Sequence, residues 1–255
     1  MSAQLEMKGI SKIFFGVEVL HSVDFAVEKG EIRALCGENG AGKSTLMKVL
    51  SGIYVQDAGE VYFKGEHIKR TADPMEVQHH GISIIHQELN LFEHLTVAQN
   101  IFMCREPRKK TGLIDFSEMN LVAADILEKL DERIDPRKKI SELKIAQKQM
   151  VEIAKAISFN VELLIMDEPT SVLTRKETQI MFDLMNNLSS KGITIVYISH
   201  RLKEITSICH TVTILRDGAL VDTKQVRSIH IIVYSYVRTP FTCCFSLIAL
   251  FHLEF

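Results

Sequence analysis

The chain contains no tryptophan, and aromatic residues make up only 7% of its 255 residues. Neither sign of charge dominates, because 30 Lys and Arg stand against 32 Asp and Glu and leave a formal net charge of −2. Basic residues form no long run, so the composition argues against both a nucleic-acid-binding protein and a membrane-surface binder. The length is sufficient for one large domain or two small ones with a sizeable core.

Cysteine is also scarce and shows no metal-ligand spacing. The five cysteines are Cys36, Cys104, Cys209, Cys243 and Cys244. Their odd number predicts reduced thiols in a cytosolic protein. The first 12 residues lack the apolar core of a signal peptide, so we do not expect secretion.

The most specific motif that is present is a glycine-rich loop, residues 37–44, with the sequence GENGAGKS. Its glycines allow backbone N–H groups to surround a polyphosphate without an intervening Cβ. Lys43 is placed to reach the outer phosphates, and the Ser44 hydroxyl is placed to bind Mg²⁺. An apolar run at 31–36 predicts a strand before the loop. Helical spacing at 44–50 predicts a helix after it, with its positive end toward the phosphate.

The rest of the chain predicts an α/β protein. Val23, Phe25 and Val27 alternate with polar or small residues, as in a half-buried strand. Residues 96–157 favour helices, with a second helix from about Gln147 and an apolar stripe formed by Leu121, Ile126, Leu127 and Leu130. Strands and helices then alternate, which favours a covered, mostly parallel sheet. We predict strands at 59–64, 81–86, 163–166, 193–198, 211–215 and 220–222, and helices at 176–190 and 201–209.

Polar residues follow three of the predicted strands. Asp167 and Glu168 end the run LLIMDEP, and their opposite directions on a strand predict different roles. Asp167 suits a Mg²⁺ ligand, and Glu168 suits a general base that faces the attacking water. His200 and Gln87 end two other apolar runs. Taken singly, the acidic pair is equally compatible with an ordinary loop, and the histidine and glutamine are more typical of structural residues.

The order of these motifs resembles the nucleotide-binding domain of the ABC ATPase superfamily, over about residues 3–223. Within it, the chain is similar to the first half of the ATPase subunits of monosaccharide importers of the ribose, galactose and xylose type. The similarity lies in GENGAGKSTLMKVLSGIY, HQELNLFEHLTVAQNIF and QMVEIAKAISFNVELLIMDEPTSVL. The resemblance implies a P-loop NTPase fold, namely an ABC-type ATPase domain with an antiparallel β subdomain and an inserted helical subdomain.

The resemblance also implies roles for individual residues. Phe14 matches the aromatic residue that stacks on adenine, with Phe15 as a possible substitute. Asp167 matches the Walker B aspartate, Gln87 the Q-loop glutamine that contacts metal and water, and Glu168 the catalytic base. His200 matches the switch histidine that contacts the γ-phosphate. The Walker A loop, which binds ATP, comprises Gly37, Glu38, Asn39, Gly40, Ala41, Gly42, Lys43, Ser44 and Thr45.

The sequence departs from the family pattern at the signature motif. The expected LSGGQ is replaced by LKIAQ at residues 143–147. Lys144 lacks the serine hydroxyl, and Ala146 adds a Cβ where the backbone approaches closely. In this fold two domains pack head to tail, so we expect the weakened signature to impair the site in the partner domain rather than this chain's own loop.

The second departure is length, since these importer subunits usually carry two such domains. We predict an ABC-type domain at 1–224, with its helical subdomain at about 90–157, and an atypical, poorly ordered apolar tail at 225–255. The apolar runs at 229–237 and 241–251 are each shorter than the ~20 residues that span a bilayer. A truncated or frame-shifted chain is the simplest expectation, and a single-domain subunit is the alternative.

The expected function is ATP binding and hydrolysis, with Mg²⁺, that energises a sugar importer. The expected partners are transmembrane permease subunits, a second nucleotide-binding domain in the same or another chain, and, indirectly, a periplasmic or extracellular sugar-binding protein. Such a subunit would be cytoplasmic and peripheral on the inner face of the membrane. The alternative is a truncated fragment that binds ATP with little or no turnover alone. A soluble ABC protein acting on ribosomes or DNA is disfavoured by the absence of a basic patch.

Overall fold

The computed structural model describes residues 3–69, 73–130 and 133–227. Its strands are β1 (Leu5–Phe14), β2 (Val17–Val27), β3 (Ile32–Cys36), β4 (Ala58–Phe63), β5 (Glu66–Ile68), β6 (Ile82–Ile85), β7 (Leu163–Asp167), β8 (Thr194–Ile198), β9 (Thr211–Arg216) and β10 (Ala219–Gln225). Its helices are α1 (Lys43–Leu50), α2 (Pro74–His79), α3 (Val97–Ile101), α4 (Phe116–Glu128), α5 (Ile145–Ile157), α6 (Arg175–Ser190) and α7 (Leu202–Ile208), with a 3₁₀ turn at Ile140–Glu142. The predicted α/β class is confirmed.

A six-stranded sheet has the order β10-β9-β3-β8-β7-β6. β3 pairs in parallel with β8 and β9, and β7 pairs in parallel with β6 and β8. Only β10 runs antiparallel to its neighbour β9. The predicted mostly parallel sheet is therefore confirmed. Because parallel strands end at the same edge, the loops that follow β3, β6, β7 and β8 lie along one edge of the sheet.

A second sheet is antiparallel and has the order β2-β1-β4-β5. Val23, Phe25 and Val27 are buried in β2, and the residues between them are exposed, as the alternating pattern predicted. The sheet lies over α1 and the same face of the six-stranded sheet, with which it shares one hydrophobic core. This sheet is the antiparallel β subdomain that the resemblance implied.

The central strands are buried on both faces. In β7, Leu164 and Met166 pack into a core shared with α3 to α7, whereas Leu163 and Ile165 pack into the core shared with α1 and the antiparallel sheet. β8 divides its side chains between the two cores in the same way. Two-sided burial explains why these strands read in the sequence as continuous apolar runs.

The segment between β6 and β7 contains the inserted helices α3, α4 and α5. Its helices differ from the predicted pattern in two places. α5 begins at Ile145, two residues before the predicted start, because Gln147 Oε1 accepts the Lys144 backbone N–H at 3.2 Å and caps the helix. Leu121 does not belong to the buried stripe, since it is 66% exposed. It lies two residues, or about 200° around the helix, from buried Met119 and Ala123.

The described fold extends past the predicted domain boundary at residue 224. Gln225 pairs with Thr211 in the last strand, and Val226 is buried, with its N–H donating to the His210 carbonyl at 2.9 Å. The rest of the predicted tail, residues 228–255, lies outside the described residues. In the ranges that the structure describes, no helix is both long and apolar enough to cross a membrane.

Candidate functional site

The glycine-rich loop joins β3 to α1 at the carboxyl edge of the parallel sheet. A Cβ on Gly37 would lie 2.2 Å from the Leu215 carbonyl oxygen. A Cβ on Gly42, whose φ is 97°, would lie 2.8 Å from Leu20 Cδ2. Both glycines are therefore required by contacts with the protein itself, in addition to the phosphate approach that the motif suggested. Between them Ala41 is buried, and three residues are exposed, namely Glu38, Asn39 and Gly40.

Lys43 begins α1 and folds back over the loop. Its Nζ donates to the carbonyl oxygens of Gly37 at 2.8 Å and Glu38 at 2.9 Å. The helix cap, Gly42, supplies no side-chain acceptor, and the first turn carries no acidic residue. The positive end of α1 and the Lys43 ammonium thus face the same loop, an arrangement that suits a polyphosphate. Ser44 is exposed in the same first turn.

Adjacent strands bring Glu168 and His200 together across 32 positions of sequence. Glu168 Oε1 lies 2.8 Å from His200 Nδ1. The Glu168 N–H donates to the Ile198 carbonyl at 3.0 Å, which ties the end of β7 to the end of β8. Glu168 has a φ of 46°, a left-handed conformation that is uncommon for a residue other than glycine. Such conformations cost about 1–3 kcal/mol and are concentrated at functional sites.

Asp167 ends β7 beside this pair. Burial raises the pKa of Asp167, and the neighbouring charge of Glu168 raises it further, while His86, Lys43 and Lys48 act in the opposite direction. Burial also lowers the pKa of the nearby His86. The carboxylates of Asp167 and Glu168 thus follow each other at the end of β7. Together with the Ser44 hydroxyl, this donor set fits the hard oxygen ligands that Mg²⁺ prefers.

Gln87 lies at the same edge of the sheet. β6 pairs with β7 so that Ile85 lies opposite Met166. Continuing this register by two residues from the Ile85–Met166 pair places Gln87 beside Glu168. Gln87 is exposed, so its amide is accessible from the loop side. The four strand ends that the sequence pointed to therefore share one edge.

The two candidate adenine-stacking residues have different surroundings. The Phe14 ring is partly buried and meets Tyr54 edge-on, with 5.1 Å between the ring centroids. Lys12 Nζ lies 5.2 Å from the centroid of the same ring. Phe15 is fully exposed at the turn between β1 and β2. Phe14 is thus held in place by neighbours, whereas Phe15 projects into solvent.

Comparison with protein families decides the assignment that this geometry suggests. A model of the family described as ABC transporter matches residues 20–171, which is more than half of the chain. The chain belongs to the ABC transporter family. The resemblance read from the motifs is therefore confirmed at the level of the family.

Curated relatives in the ABC transporter family include sugar-import proteins. A putative ribose/galactose/methyl galactoside import ATP-binding protein of Agrobacterium fabrum (strain C58) is 49% identical over 228 residues, which cover 89% of this chain and 45% of the relative. The ribose import ATP-binding protein RbsA of Geobacillus kaustophilus (strain HTA426) is 47% identical over 224 residues, which cover 88% of this chain and 45% of the relative. The chain thus spans about half the length of the curated relatives that it matches.

Solved structures support the fold. The ADP conformation of an ATP-binding cassette from an ABC transporter is 27% identical, has a TM-score of 0.79, and is matched over 94% of this chain and 100% of the cassette. A nucleotide-free cassette is also 27% identical and has a TM-score of 0.80, and the match covers 92% of this chain and 96% of the cassette. The predicted ABC-type fold with an antiparallel β subdomain and an inserted helical subdomain is confirmed.

The LKIAQ segment, which differs from the ABC signature LSGGQ, lies at the start of α5. Lys144 is exposed at the N-cap position of α5, and its side chain supplies no acceptor for the helix N–H groups. Ile145 is 47% exposed, and Ala146 is partly buried. The segment with the altered residues is therefore on the surface, at the positive end of a helix.

Sequence reasoning missed three residues near the site. His86 immediately follows β6, and Lys48 lies on α1 four residues after Ser44; both influence the pKa of Asp167. Position after an apolar strand, the signal used for Gln87, could also have found His86, and helical spacing could have found Lys48. Glu204, on α7, contacts residues beside both Glu168 and His200, and no local pattern in the sequence indicates this.

Proposed function

We propose that this chain is an ATP-binding and ATP-hydrolysing subunit that energises an ABC sugar importer. The observation that carries the proposal is the convergence of the Lys43 loop and the Glu168–His200 pair at one edge of the parallel sheet. The import functions in the names of relatives at 49% and 47% identity support a sugar, of the ribose or galactose type, as the transported substrate.

In this proposal the nucleotide lies along the carboxyl edge of the sheet. The Phe14 ring stacks on adenine, because an aromatic face accepts a purine with little geometric demand. The first-turn N–H groups of α1 and the Lys43 ammonium bind the phosphates. The loop residues proposed for this role are Gly37, Glu38, Asn39, Gly40, Ala41, Gly42, Lys43, Ser44 and Thr45.

Hydrolysis then depends mainly on positioning and electrostatics. Ser44, Asp167 and Gln87 would hold Mg²⁺, which supplies neutralising charge at the phosphate oxygens when bound. Glu168 acts as the general base toward the attacking water. His200, held by Glu168 at 2.8 Å, contacts the γ-phosphate. Phosphoryl transfer needs little covalent chemistry from the protein, so the main contribution of these groups is to position the phosphate, the metal ion and the water.

A second nucleotide-binding domain completes the site in this proposal. The signature of one domain would face the phosphate loop of the other, so the loop of this chain depends on a partner's signature. The LKIAQ segment of this chain would serve the partner's loop less well, because it lacks the serine hydroxyl and the second glycine. We propose a nucleotide-binding domain at 1–224, which β10 and the buried Val226 extend by two residues, with its helical subdomain at about 90–157.

The permease would contact the segment around Gln87 and the adjoining helices. A cavity of about 270 Å³ lies there between α2, β6 and α5, and its lining includes Ser83, His86, Asn90 and Glu152. Ser83 Oγ and Glu152 Oε1 are buried without a hydrogen-bond partner among the described residues. The subunit would then lie in the cytoplasm against the inner face of the membrane, with the sugar-binding protein an indirect partner on the other side.

The test is the rate of ATP hydrolysis per chain, measured against protein concentration with Mg²⁺, and with and without the cognate permease. A rate that rises with concentration is expected, because each loop needs a second domain. Binding of ATP without any hydrolysis, at every concentration and with permease present, would contradict the proposal. It would support the second candidate, a chain that binds ATP but does not turn it over alone. The observation behind that candidate is the altered LKIAQ segment, which two copies of this chain would present to each other's phosphate loops.

A further inference from the structure

A buried polar cluster is formed by residues close to Glu168 and His200 in the sequence, and nucleotide binding does not account for it. Its centre is the carboxylate of Glu204, which is 9% exposed and lies in the first turn of α7. The other members are also enclosed, since Tyr197 is 0%, Thr170 2% and Ser199 3% exposed. Polar side chains buried to this degree are costly unless each is hydrogen-bonded.

The Glu204 carboxylate satisfies donors from both loops of the site. Its Oε2 accepts from the Tyr197 hydroxyl at 2.6 Å, the Thr170 hydroxyl at 2.8 Å and the Ser199 hydroxyl at 3.2 Å. Its Oε1 accepts from Arg201 Nη1 at 3.1 Å. Thr170 comes two residues after Glu168, and Ser199 comes one residue before His200. One carboxylate therefore joins the backbone segments that carry the two halves of the pair.

Arg201 adds a second connection between the same segments. Its guanidinium donates to the carbonyl oxygens of Thr170 at 3.4 Å and Ser171 at 3.5 Å, while its backbone N–H donates to Ser199 Oγ at 3.0 Å. Burial alone would raise the pKa of Glu204, but the hydrogen bonds from Tyr197, Thr170 and Arg201 outweigh burial and hold that pKa below its ordinary value. The carboxylate is thus ionised at neutral pH, and charge-assisted hydrogen bonds are the stronger kind.

We propose that Glu204 is a positioning residue that fixes the segment carrying Glu168 against the segment carrying His200. It touches neither member of the pair. It acts through Thr170 on one side and Ser199 on the other, so that the 2.8 Å contact between Glu168 and His200 is kept. The left-handed backbone of Glu168 makes such support necessary, because a strained conformation persists only where its surroundings hold it. This inference rests on the proposed ATPase function.

The test compares two mild variants with a matched control. Glu204→Gln keeps the shape of the side chain but loses its charge and one of the two acceptor oxygens that Arg201, Tyr197, Thr170 and Ser199 share. Thr170→Val removes one donor and keeps the volume. The control is Glu31→Gln, which changes an equally buried carboxylate, 8% exposed and paired with Arg33 at 2.7 Å, at the opposite end of β3. The control therefore reports the cost of losing a buried charge far from the site.

The readouts are kcat, the Kd for ATP and the imidazole ¹⁵N signals of His200, assigned with His200→Asn. A misplaced catalytic group lowers turnover by about 10- to 100-fold. We expect a loss of this order in kcat for Glu204→Gln, a smaller loss for Thr170→Val, and an ATP Kd within about twofold of wild type. The His200 signals should shift in both variants and not in Glu31→Gln.

Unchanged kcat and unchanged His200 signals in a folded Glu204→Gln chain would overturn the positioning role. If the wild-type chain itself hydrolyses no ATP, the proposed function fails. The His200 signals then decide the positioning role alone, because they report the geometry of the pair without turnover.

Discussion

At Asp167 the structure combines a buried carboxylate with a second one beside it. Burial and the charge of Glu168 raise the pKa of Asp167 above its ordinary value of 3.8. A raised carboxyl pKa means that ionisation favours the unfolded chain, so Asp167 destabilises the fold above that pKa. The penalty disappears as the pH falls through the raised pKa toward the ordinary one. The ionised carboxylate that is proposed to bind Mg²⁺ at this position therefore lowers the stability of the folded chain.

We accordingly expect Asp167→Asn to raise the melting temperature of the nucleotide-free chain by a few degrees at neutral pH. The gain should shrink as the pH is lowered toward 4, because wild-type Asp167 then becomes protonated as well. Thermal unfolding of both chains across this range measures the effect. The same variant should lose Mg²⁺-dependent ATP hydrolysis. A lower melting temperature for Asp167→Asn than for wild type at pH 7 would show that the ionised Asp167 carboxylate does not destabilise the fold.

The neighbouring phenylalanines provide a matched pair for the adenine site. Phe14→Ala should weaken ATP binding by about 10- to 100-fold, since stacking of an aromatic ring on a base contributes about 1–3 kcal/mol. Phe15→Ala should leave the Kd unchanged, because Phe15 is fully exposed at a turn. Equilibrium titration with a fluorescent ATP analogue measures both. Equal affinities for the two variants would remove Phe14 from the site. Melting temperatures separate this effect from the lost packing on Tyr54.

At the scale of elements, the strands were the easiest to predict. β3, β7 and β8 are buried on both faces and show unbroken apolar runs, so their positions were predicted within one or two residues. The helical block was harder, because only one face of each helix is buried and its ends depend on capping. Leu121 was misjudged for this reason, and the predicted start of α5 was two residues late. Glu204 could not be found, since its partners lie 5, 7 and 34 residues away and meet only in the folded chain.

The start of α5 supports a prediction about the altered signature. Lys144 provides no side-chain acceptor for the first N–H groups of this helix. Lys144→Ser should supply one and stabilise the chain by about 1 kcal/mol, which thermal unfolding measures. Combined with Ala146→Gly, the change should raise ATP turnover at a partner's phosphate loop. Turnover that is unaffected everywhere in the assembled complex would show that LKIAQ does not limit the partner site.

At the scale of the whole molecule, the chain spans about 45% of the length of its sugar-import relatives, and the residues that the structure describes form one cassette. Its phosphate loop and acidic pair are assembled within this one domain. The signature that would face its loop must come from another domain in the proposed arrangement. Binding of ATP should therefore be a property of the single chain, whereas turnover should depend on association.

The central claim is that Glu168, placed at the end of β7 and held 2.8 Å from His200, is the base for ATP hydrolysis. The most direct measurement compares wild type with Glu168→Gln for ATP affinity and for phosphate release at high protein concentration. We predict that Glu168→Gln binds ATP with wild-type affinity and releases phosphate at least about 100-fold more slowly. Phosphate release from Glu168→Gln at the wild-type rate would contradict the account.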